Sequence, residues 1–331
     1  MNAMILCFIF KYMKKILIIR FSSMGDIVLT SPVVRCVKQQ KKIEIHYLVK
    51  SQYSAVLISN PYIDKLITFE NSLNSMITTL KNENYDIIID LQNNVRSWWL
   101  KLNLGRRSYT LKKGNIKKFI YIYMNLNYLN EHVVDRYFNT VKSLGVYNDN
   151  GGLDYFLKKN TVIEFDVSQD YIAWSIAGSF EQKKLCSKQI INVCNAVSHP
   201  IVLLGGVSES NMGKRIVSET TNKRVYNFCG QLSLDQSAYL LKKSRFVLTN
   251  DTGLMHIASA LKKSIISFWG CTKPSLGFAP YLNHNQSIEI LTNRSSPCSK
   301  HGSRCKIQDD GCIKQIDDKV IVRAVTDLLK R

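Results

Sequence analysis

The chain has 331 residues, 45% of them hydrophobic, which is too long for one typical core and suits two domains. Its 45 lysines and arginines against 25 acidic residues give a net charge of +20, which favours anionic partners such as nucleic acid, anionic lipid or a phosphorylated glycan. A lysine-rich solvated surface is the alternative. No run reaches the roughly 18 apolar residues of a membrane-spanning helix, so none is predicted.

The chain begins with a short apolar stretch. It has neither a preceding basic segment nor a small-residue cleavage site, so it does not match a signal peptide. We interpret residues 1–12 as a dispensable extension, with Met13 as an alternative start. A short membrane-surface anchor is the lesser alternative.

Strand and helix patterns alternate through residues 13–165, which we interpret as the first domain. Strands are predicted at Lys15–Phe21, Ile43–Val49, Ile63–Phe69 and Ile87–Leu91, and helices at Asp26–Gln40, Arg96–Leu104, Ile116–Leu126 and Val133–Leu144. Such alternation is typical of an α/β domain with a parallel sheet.

The pattern starts again in residues 166–331, the predicted second domain. Strands are predicted at Tyr171–Ala177, Pro200–Leu204, Val225–Phe228, Phe246–Asn250 and Ile265–Trp269, and helices at Ser233–Lys243, after Asp251 and at Asp317–Lys330. The last helix is a candidate to pack back on the first domain. Together the halves predict two Rossmann-like domains facing a central cleft.

The segment Asn250–His256 is the most informative turn. A buried strand runs directly into Asn-Asp-Thr-Gly and then an amphipathic helix. Backbone N–H groups and the dipole at such a helix start suit a diphosphate, and Gly253 permits close approach. An ordinary capped helix is the equal alternative, because Asp251 and Thr252 are natural caps.

Other strand-to-helix turns carry polar groups with two interpretations each. Asp26 either caps its helix or acts as a base on an acceptor hydroxyl. Lys183 either lies on the surface or reaches a diphosphate, and Glu209 either fills a helix first turn or binds ribose. Thr272 either donates to a phosphate or serves the turn.

Four segments together resemble one known family. They are Ile18–Pro32, Asp90–Ser97, Asn250–Ala258 and Phe268–Pro274. In order and spacing they are similar to the glycosyltransferase family that contains the bacterial lipopolysaccharide heptosyltransferases. The resemblance covers nearly the whole chain from Met13 on, and it implies the GT-B fold, with donor mostly in the second domain and acceptor mostly in the first.

The resemblance also implies roles for individual residues. On the acceptor side it makes Asp26 the catalytic base, accompanied by Ser23, Gly25, Asn93 and Arg96. On the donor side it places Lys183 near the phosphate and sugar, Glu209 at the ribose, Asp251 at the sugar hydroxyls, the backbone of Thr252, Gly253 and Leu254 at the diphosphate, and His256 and Thr272 close by. Lys184 is the alternative to Lys183, because the residues around the lysine depart from the family pattern.

The implied activity is transfer of heptose or a related sugar from an ADP-sugar to a lipopolysaccharide core, with inversion and with neither a catalytic metal nor a cofactor. The implied partners are ADP-heptose, an anionic glycolipid and the inner face of the bacterial inner membrane, with a monomeric cytoplasmic enzyme held there peripherally. A relative using another nucleotide sugar is one alternative. A basic nucleic-acid-binding protein is another, supported by charge alone, and the missing GxGxxG pattern disfavours a nicotinamide oxidoreductase.

The nine cysteines fall into two groups. Scattered cysteines in apolar settings, Cys7, Cys36, Cys186, Cys194, Cys229 and Cys271, are interpreted as core filler. Three more lie close together with a histidine, as Cys298, His301, Cys305 and Cys312. These four are a candidate structural zinc site, and reduced structural cysteines are the alternative.

Overall fold

The computed structural model describes residues 14–70, 72–282 and 286–331, so the extension predicted at residues 1–12 lies outside the described residues. The chain divides into two compact units. Unit 1 takes the residues up to Lys113 together with Glu131–Phe156, and unit 2 takes Gly114–Asn130 together with Leu157–Arg331. The predicted boundary lay after residue 165, and residues 114–130 had been assigned to the first domain.

Within the described residues, unit 1 is built on a five-stranded parallel sheet. Its strands are β1 Lys15–Ile19, β2 Glu44–Lys50, β3 Lys65–Phe69, β4 Ile87–Asp90 and β5 Arg107–Thr110. Their spatial order is β3-β2-β1-β4-β5, so the order reverses between β1 and β4. Ile19 pairs with Leu48 on one side and Asp90 on the other. The loops after β1 and β4 therefore leave the sheet side by side, where α/β proteins bind ligands.

The helices in the first part of the chain are α1 Met24–Val28, α2 Ser31–Lys41, α3 Ile77–Asn82, α4 Val95–Leu104, α5 Asn115–Met124 and α6 Val133–Val141. The single helix predicted at Asp26–Gln40 is two helices. Pro32 lies at the start of α2. Because proline lacks an N–H and its ring clashes with the carbonyl four residues back, an uninterrupted helix is disfavoured there.

Helix α5 belongs to unit 2 because its inner face bonds to that unit. The Tyr121 hydroxyl lies 2.8 Å from Ser275 Oγ, and Lys300 Nζ donates to Asn115 Oδ1 at 2.8 Å. Lys306 Nζ also donates to the Ile122 carbonyl, at 2.6 Å. These contacts explain why residues 114–130 group with a later part of the chain.

Unit 2 has a six-stranded parallel sheet among its described residues. Its strands are β6 Ile172–Ser175, β7 Ile201–Leu204, β8 Val225–Asn227, β9 Val247–Asn250, β10 Ile265–Trp269 and β11 Ser287–Leu291. The spatial order β11-β10-β9-β6-β7-β8 is the Rossmann order, with its reversal between β6 and β9. Ser175 pairs with Leu204 and Thr249, so the loops after β6, β7 and β9 leave one edge together.

The remaining helices are α7 Ser187–Ala196, α8 Ser210–Glu219, α9 Leu234–Lys243, α10 Gly253–Ala260 and α11 Asp318–Leu329. Ser233 is the N-cap of α9, since its side chain accepts from Gln236 N. The last helix, α11, buries Ile321 and Val325 in the core of unit 2. Its apolar face is thus satisfied within its own unit.

Continuous apolar strands form the centre of each unit. Strands β4, β6, β7, β9 and β10 are buried at every position. Burial on both faces is what helices on either side of a parallel sheet impose. The α/β prediction with two Rossmann-like units is confirmed. Among the described residues, no helix is both long and apolar enough to cross a membrane.

Candidate functional site

In unit 1, Asp26 lies in the first turn of α1, the helix that follows β1. Ser23 is the N-cap, and its hydroxyl donates to Asp26 Oδ2 at 2.9 Å while its backbone N–H does so at 3.3 Å. Gly25 is buried behind them, and its carbonyl accepts from Leu29 N. The Asp26 side chain keeps 21% of its surface exposed. It is therefore both a helix cap and an accessible carboxylate held in one orientation.

Arg20, which was assigned no role from the sequence, holds the Asp26 carboxylate. Its Nη2 lies 2.7 Å from Asp26 Oδ2, and its other nitrogens donate to the carbonyls of Ser22 at 2.8 Å and Leu91 at 2.7 Å. Burial is the largest single influence and would lower the pKa of Arg20, but the charge of Asp26, the hydrogen bond to it and the nearby Tyr137 and Tyr47 together raise that pKa. A charged residue ending a buried strand was the available sequence signal.

The loop after β4 is organised by Asp90, which is fully buried. Its Oδ2 accepts from Ser97 Oγ at 2.9 Å and pairs with Lys101 Nζ at 2.9 Å, while Oδ1 accepts the backbone N–H of Asn93 at 2.8 Å. Asn93 has a φ of 45°, and its side chain donates to the Leu111 carbonyl at 2.7 Å. In this structure Asn93 thus shapes the loop.

Arg96 stands at the edge of a small pocket in unit 1. The pocket has a volume of about 300 Å³ and is lined by Phe21, Ser22, Lys50, Asn94, Val95 and Arg96. Among the described residues neither Lys50 nor Arg96 forms an ion pair. The pocket therefore offers two cations to an anionic group.

In unit 2, three residues predicted on the donor side meet at one carboxylate. Lys183 Nζ lies 2.5 Å from Asp251 Oδ2, and the Thr272 hydroxyl donates to the same oxygen at 3.0 Å. The side chains of Lys183 and Asp251 are 10% and 14% exposed. These residues come from the loops after β6, β9 and β10, so the sheet order brings them together.

The start of α10 lies beside this carboxylate in sequence. Thr252 is the N-cap, and its hydroxyl accepts from Met255 N at 3.3 Å. Gly253 and Leu254 follow as the first helical residues, whose N–H groups have no acceptor within an α-helix. His256, two residues after Leu254 in the same helix, is buried. The helix start can therefore offer backbone donors to an anion.

Asn250, also unassigned from sequence, fixes the end of β9 against β6. Its Nδ2 donates to the Ile176 and Ala177 carbonyls at 3.2 and 3.0 Å. Its Oδ1 is buried with no hydrogen-bond partner among the described residues. An unsatisfied buried acceptor at a ligand-binding edge is a feature that calls for a donor.

Glu209 lies apart from the Lys183–Asp251 pair and contacts the alternative lysine instead. Lys184 Nζ lies 3.3 Å from Glu209 Oε1 and 3.1 Å from Glu181 Oε2. Burial would lower the pKa of Lys184, but the hydrogen bond to Glu181 and the charge of Glu209 together raise it. Glu209 itself is buried and accepts the Gly206 N–H at 3.0 Å. The two adjacent lysines therefore have different carboxylate partners.

The cysteine interpretation needs a correction. The thiols that come together are Cys271, Cys298, Cys305 and Cys312, with all four sulfur atoms within 4.8 Å of one another. His301 is exposed and lies outside this group, so the structure does not place it with the three predicted cysteines. Cys271 is buried, as expected of core filler, but it also joins the other three thiols. Cys271 is distant in sequence, and only the path of the chain after β10 brings it to the other three.

The chain is similar to known proteins in both sequence and fold. The model of glycosyltransferase family 9 (heptosyltransferase) matches residues 73–308. Lipopolysaccharide heptosyltransferase 1 of Campylobacter coli is 26% identical over 346 residues, covering 95% of this chain and 98% of the relative.

Two solved structures share the fold. The glycosyl transferase family 9 structure from Veillonella parvula DSM 2008 has a TM-score of 0.80 at 20% identity, covering 96% of this chain and 97% of that one. The E. coli heptosyltransferase WaaC with ADP has a TM-score of 0.70 at 19% identity, covering 95% and 99%. These likenesses agree with the predicted GT-B class. Since the family model spans well over half of the sequence, the chain belongs to glycosyltransferase family 9, the heptosyltransferase family, and is a glycosyltransferase.

Proposed function

We propose that the chain transfers heptose, or a related sugar, from an ADP-sugar to a lipopolysaccharide core with inversion and without a catalytic metal. The proposal rests on one observation: Lys183 and Thr272 both contact Asp251, directly before the start of α10. These residues lie where the strand order of a Rossmann sheet reverses. That edge is where such sheets bind nucleotides. A family structure determined with ADP supports the choice of nucleotide.

On the donor side, the proposed role of unit 2 is to stabilise the leaving ADP. When the bond between the anomeric carbon and the diphosphate breaks, negative charge grows on the phosphate oxygens. The Lys183 ammonium and the backbone N–H groups of Gly253 and Leu254 are positioned as donors for that charge. Asp251, already held by Thr272, is the acceptor for hydroxyls of the donor sugar.

On the acceptor side, the proposed base is Asp26. The acceptor hydroxyl attacks the anomeric carbon from the face opposite the diphosphate, its proton passes to Asp26, and the configuration at that carbon inverts. Arg20 and Ser23 hold the carboxylate in place through the step. The cations Lys50 and Arg96 of the nearby pocket fit a phosphate on the acceptor.

The enzyme is proposed to act at an anionic membrane surface. Helix α5 is suited to contact such a surface. One face of α5 bonds to unit 2, as described above, and the other is exposed. The exposed apolar side chains are Ile116, Phe119, Tyr123 and Met124, followed by Leu126 and Tyr128. Lys112 and Lys117 are exposed beside them. Apolar rings next to lysines are typical of segments that bind anionic lipid.

Vesicle sedimentation tests this surface. We expect the chain to bind vesicles containing phosphatidylglycerol more strongly than neutral vesicles, and the double variant Phe119→Ser/Tyr123→Ser to bind less. The matched control is Ile58→Ser, which removes an exposed apolar side chain from unit 1, outside α5. Equal binding by the double variant and the wild type would contradict a role for α5.

A donor panel tests the activity itself. The purified chain is incubated with ADP-heptose, other ADP-sugars and UDP-sugars, each with lipopolysaccharide core acceptors, and products are read by mass spectrometry. We expect a mass increase of one heptose with ADP-heptose, and a product of inverted anomeric configuration by NMR. Transfer only from a UDP-sugar would overturn the donor assignment, and retention of configuration would overturn the mechanism.

A further inference from the structure

Four cysteine thiols of unit 2 meet at one point. We call Cys271, Cys298, Cys305 and Cys312 the cysteine cluster. All four are free thiols; three are buried and Cys305 is partly buried. Buried cysteines are usually scattered, so a group of four whose sulfur atoms all lie within 4.8 Å of one another needs a reason.

The sulfur separations have the size of a tetrahedral metal site. Cys271 Sγ lies 3.6 Å from Cys312 Sγ, and Cys298 Sγ lies 3.8 Å from Cys305 Sγ and 4.0 Å from Cys312 Sγ. Four thiolates at about 2.3 Å from a central zinc ion would stand about 3.8 Å from one another. These three separations thus match the edges of a sulfur tetrahedron around one ion, and the other three do not exceed 4.8 Å.

The backbone around the cluster also favours thiolates. The N–H of Ile307 donates to Cys305 Sγ at 3.4 Å, and the backbone of Lys306 hydrogen-bonds Cys298. Amide groups that donate to sulfur orient metal-bound thiolates and reduce their charge.

We propose that the cysteine cluster binds one thiophilic metal ion, zinc or iron, as a structural site. Four sulfur ligands in a tetrahedron are typical of structural zinc sites and of iron bound by thiolates. Because all four protein positions around the ion are filled by sulfur, the ion has no open position for substrate. Its role is structural, and it is separate from the proposed sugar transfer.

The bound metal would stabilise the loop that lies next to the proposed donor site. The loop that carries the last three cysteines lies against the segment with Lys183. A Cβ at Gly302 would come within 2.6 Å of Lys183 Cγ and 3.2 Å of Thr272 Cγ2, and one at Gly311 within 2.5 Å of the Gln182 Cα. Tying this loop to Cys271, next to Thr272, therefore fixes the stem of Lys183.

Metal content is the direct test, and it needs no variant and no activity. The reduced chain, purified without chelator, is compared by native and denaturing mass spectrometry and by elemental analysis. We expect one equivalent of zinc or iron per chain, and the analysis identifies which. A chain that holds neither metal, both as isolated and after incubation with zinc or ferrous salt, would overturn the proposal.

Variants distinguish this cluster from the set predicted with a histidine. Cys271→Ser and Cys305→Ser are expected to lose the metal, and to lose the sulfur-to-cobalt charge-transfer absorption of the cobalt-loaded chain. His301→Ala is expected to keep both. Cys186→Ser is the matched control, because that residue is the N-cap of α7, where serine is well tolerated. Equal metal content in Cys271→Ser and wild type would contradict the assignment. Metal content is measured without any sugar transfer, so failure of this proposal and failure of the proposed function are distinguishable.

Discussion

At the scale of single residues, the adjacent lysines Lys183 and Lys184 pair with different carboxylates. Lys183 pairs with Asp251 beside the start of α10, while Lys184 pairs with Glu209 and Glu181. The positions of Asp251 and Asp26 could be predicted, because polar residues in the turn from a buried strand to the next helix lie at the carboxyl edge of the sheet. The choice between the lysines could not be, since it depends on which carboxylate each side chain meets after folding.

We expect Lys183→Gln to lower kcat/KM for the nucleotide sugar by about 10- to 100-fold, since a hydrogen bond to a charged group contributes about 1.5–3 kcal/mol. Lys184→Gln is expected to act mainly on KM, because its partner Glu209 lies at the proposed ribose position. Lys188→Gln, at an exposed lysine, is the control. Steady-state kinetics with ADP-heptose checks this. A larger loss in Lys184→Gln than in Lys183→Gln would transfer the phosphate-binding role to Lys184.

At the scale of elements, the strands at the centres of the sheets and the edge strands β3 and β8 were predictable, whereas the edge strands β5 and β11 were not. Long apolar runs marked β1, β4, β9 and β10. The edge strand β5, with the sequence Arg-Ser-Tyr-Thr, is exposed or only partly buried and carries little apolar signal. The edge strand β11 has one buried residue of five. A strand with so few buried apolar residues is recognised only by the neighbour it pairs with, which the local sequence does not encode.

The loop with the last three cysteines gives a prediction at this scale. Gly302 has a φ of +78°, and its missing side chain makes room for the Lys183 stem. Gly302→Ala should weaken ADP binding several-fold, because the new Cβ displaces Lys183. The matched control is Gly105→Ala, with a φ of +60° but no atom within 4 Å of the new Cβ.

Both glycine variants carry a backbone penalty of about 1–2 kcal/mol for a left-handed residue. Isothermal titration with ADP, together with urea denaturation of both variants, separates that shared penalty from the loss of binding. If Gly302→Ala bound ADP as tightly as Gly105→Ala, the loop would not control the position of Lys183.

At the scale of the whole molecule, the net charge is +20, so lowering the pH adds positive charge to a chain that is already strongly positive. In unit 1 the Arg35 guanidinium contacts Asp149 through two nitrogens, each at 2.8 Å, and also contacts Asp154. The Arg35 hydrogen bond lowers the pKa of Asp149 to about 2. Hydrogen bonds from Lys15 and Lys65 likewise lower the pKa of Glu83 to about 2.

Because these pKa values lie below those of the unfolded chain, about 4, folding is favoured by both groups at neutral pH. That stability should be lost as pH falls from about 5 to 2. Asp149→Asn should therefore lower the free energy of unfolding at pH 7 but make it less dependent on pH in this range. Urea denaturation at a series of pH values checks this, with Glu219→Gln, at an exposed pair with Arg215, as the control. An unchanged pH dependence in Asp149→Asn would contradict the role of the pair.

The predicted two-unit α/β organisation was accessible from the sequence because each sheet repeats the same strand-and-helix alternation. The grouping of α5 with unit 2 was not, because it rests on contacts such as Tyr121 with Ser275, which are far apart along the chain. For the same reason, the sequence alone did not indicate that Cys271 belongs to the cysteine cluster. Local periodicity predicts elements, whereas pairings between distant segments emerge only in the folded chain.

The central claim is that Asp26 is the base of a heptosyl transfer and not only a helix cap. Asp135 offers a matched control, because it has the same position in the capping box of α6, where its Oδ2 accepts the His132 N–H at 3.1 Å. The decisive measurement is kcat for transfer from ADP-heptose to a core acceptor in Asp26→Asn and Asp135→Asn. We predict a loss of about 10²- to 10⁴-fold in Asp26→Asn, with ADP affinity unchanged, and wild-type kcat in Asp135→Asn. A kcat for Asp26→Asn equal to that of Asp135→Asn would contradict the account.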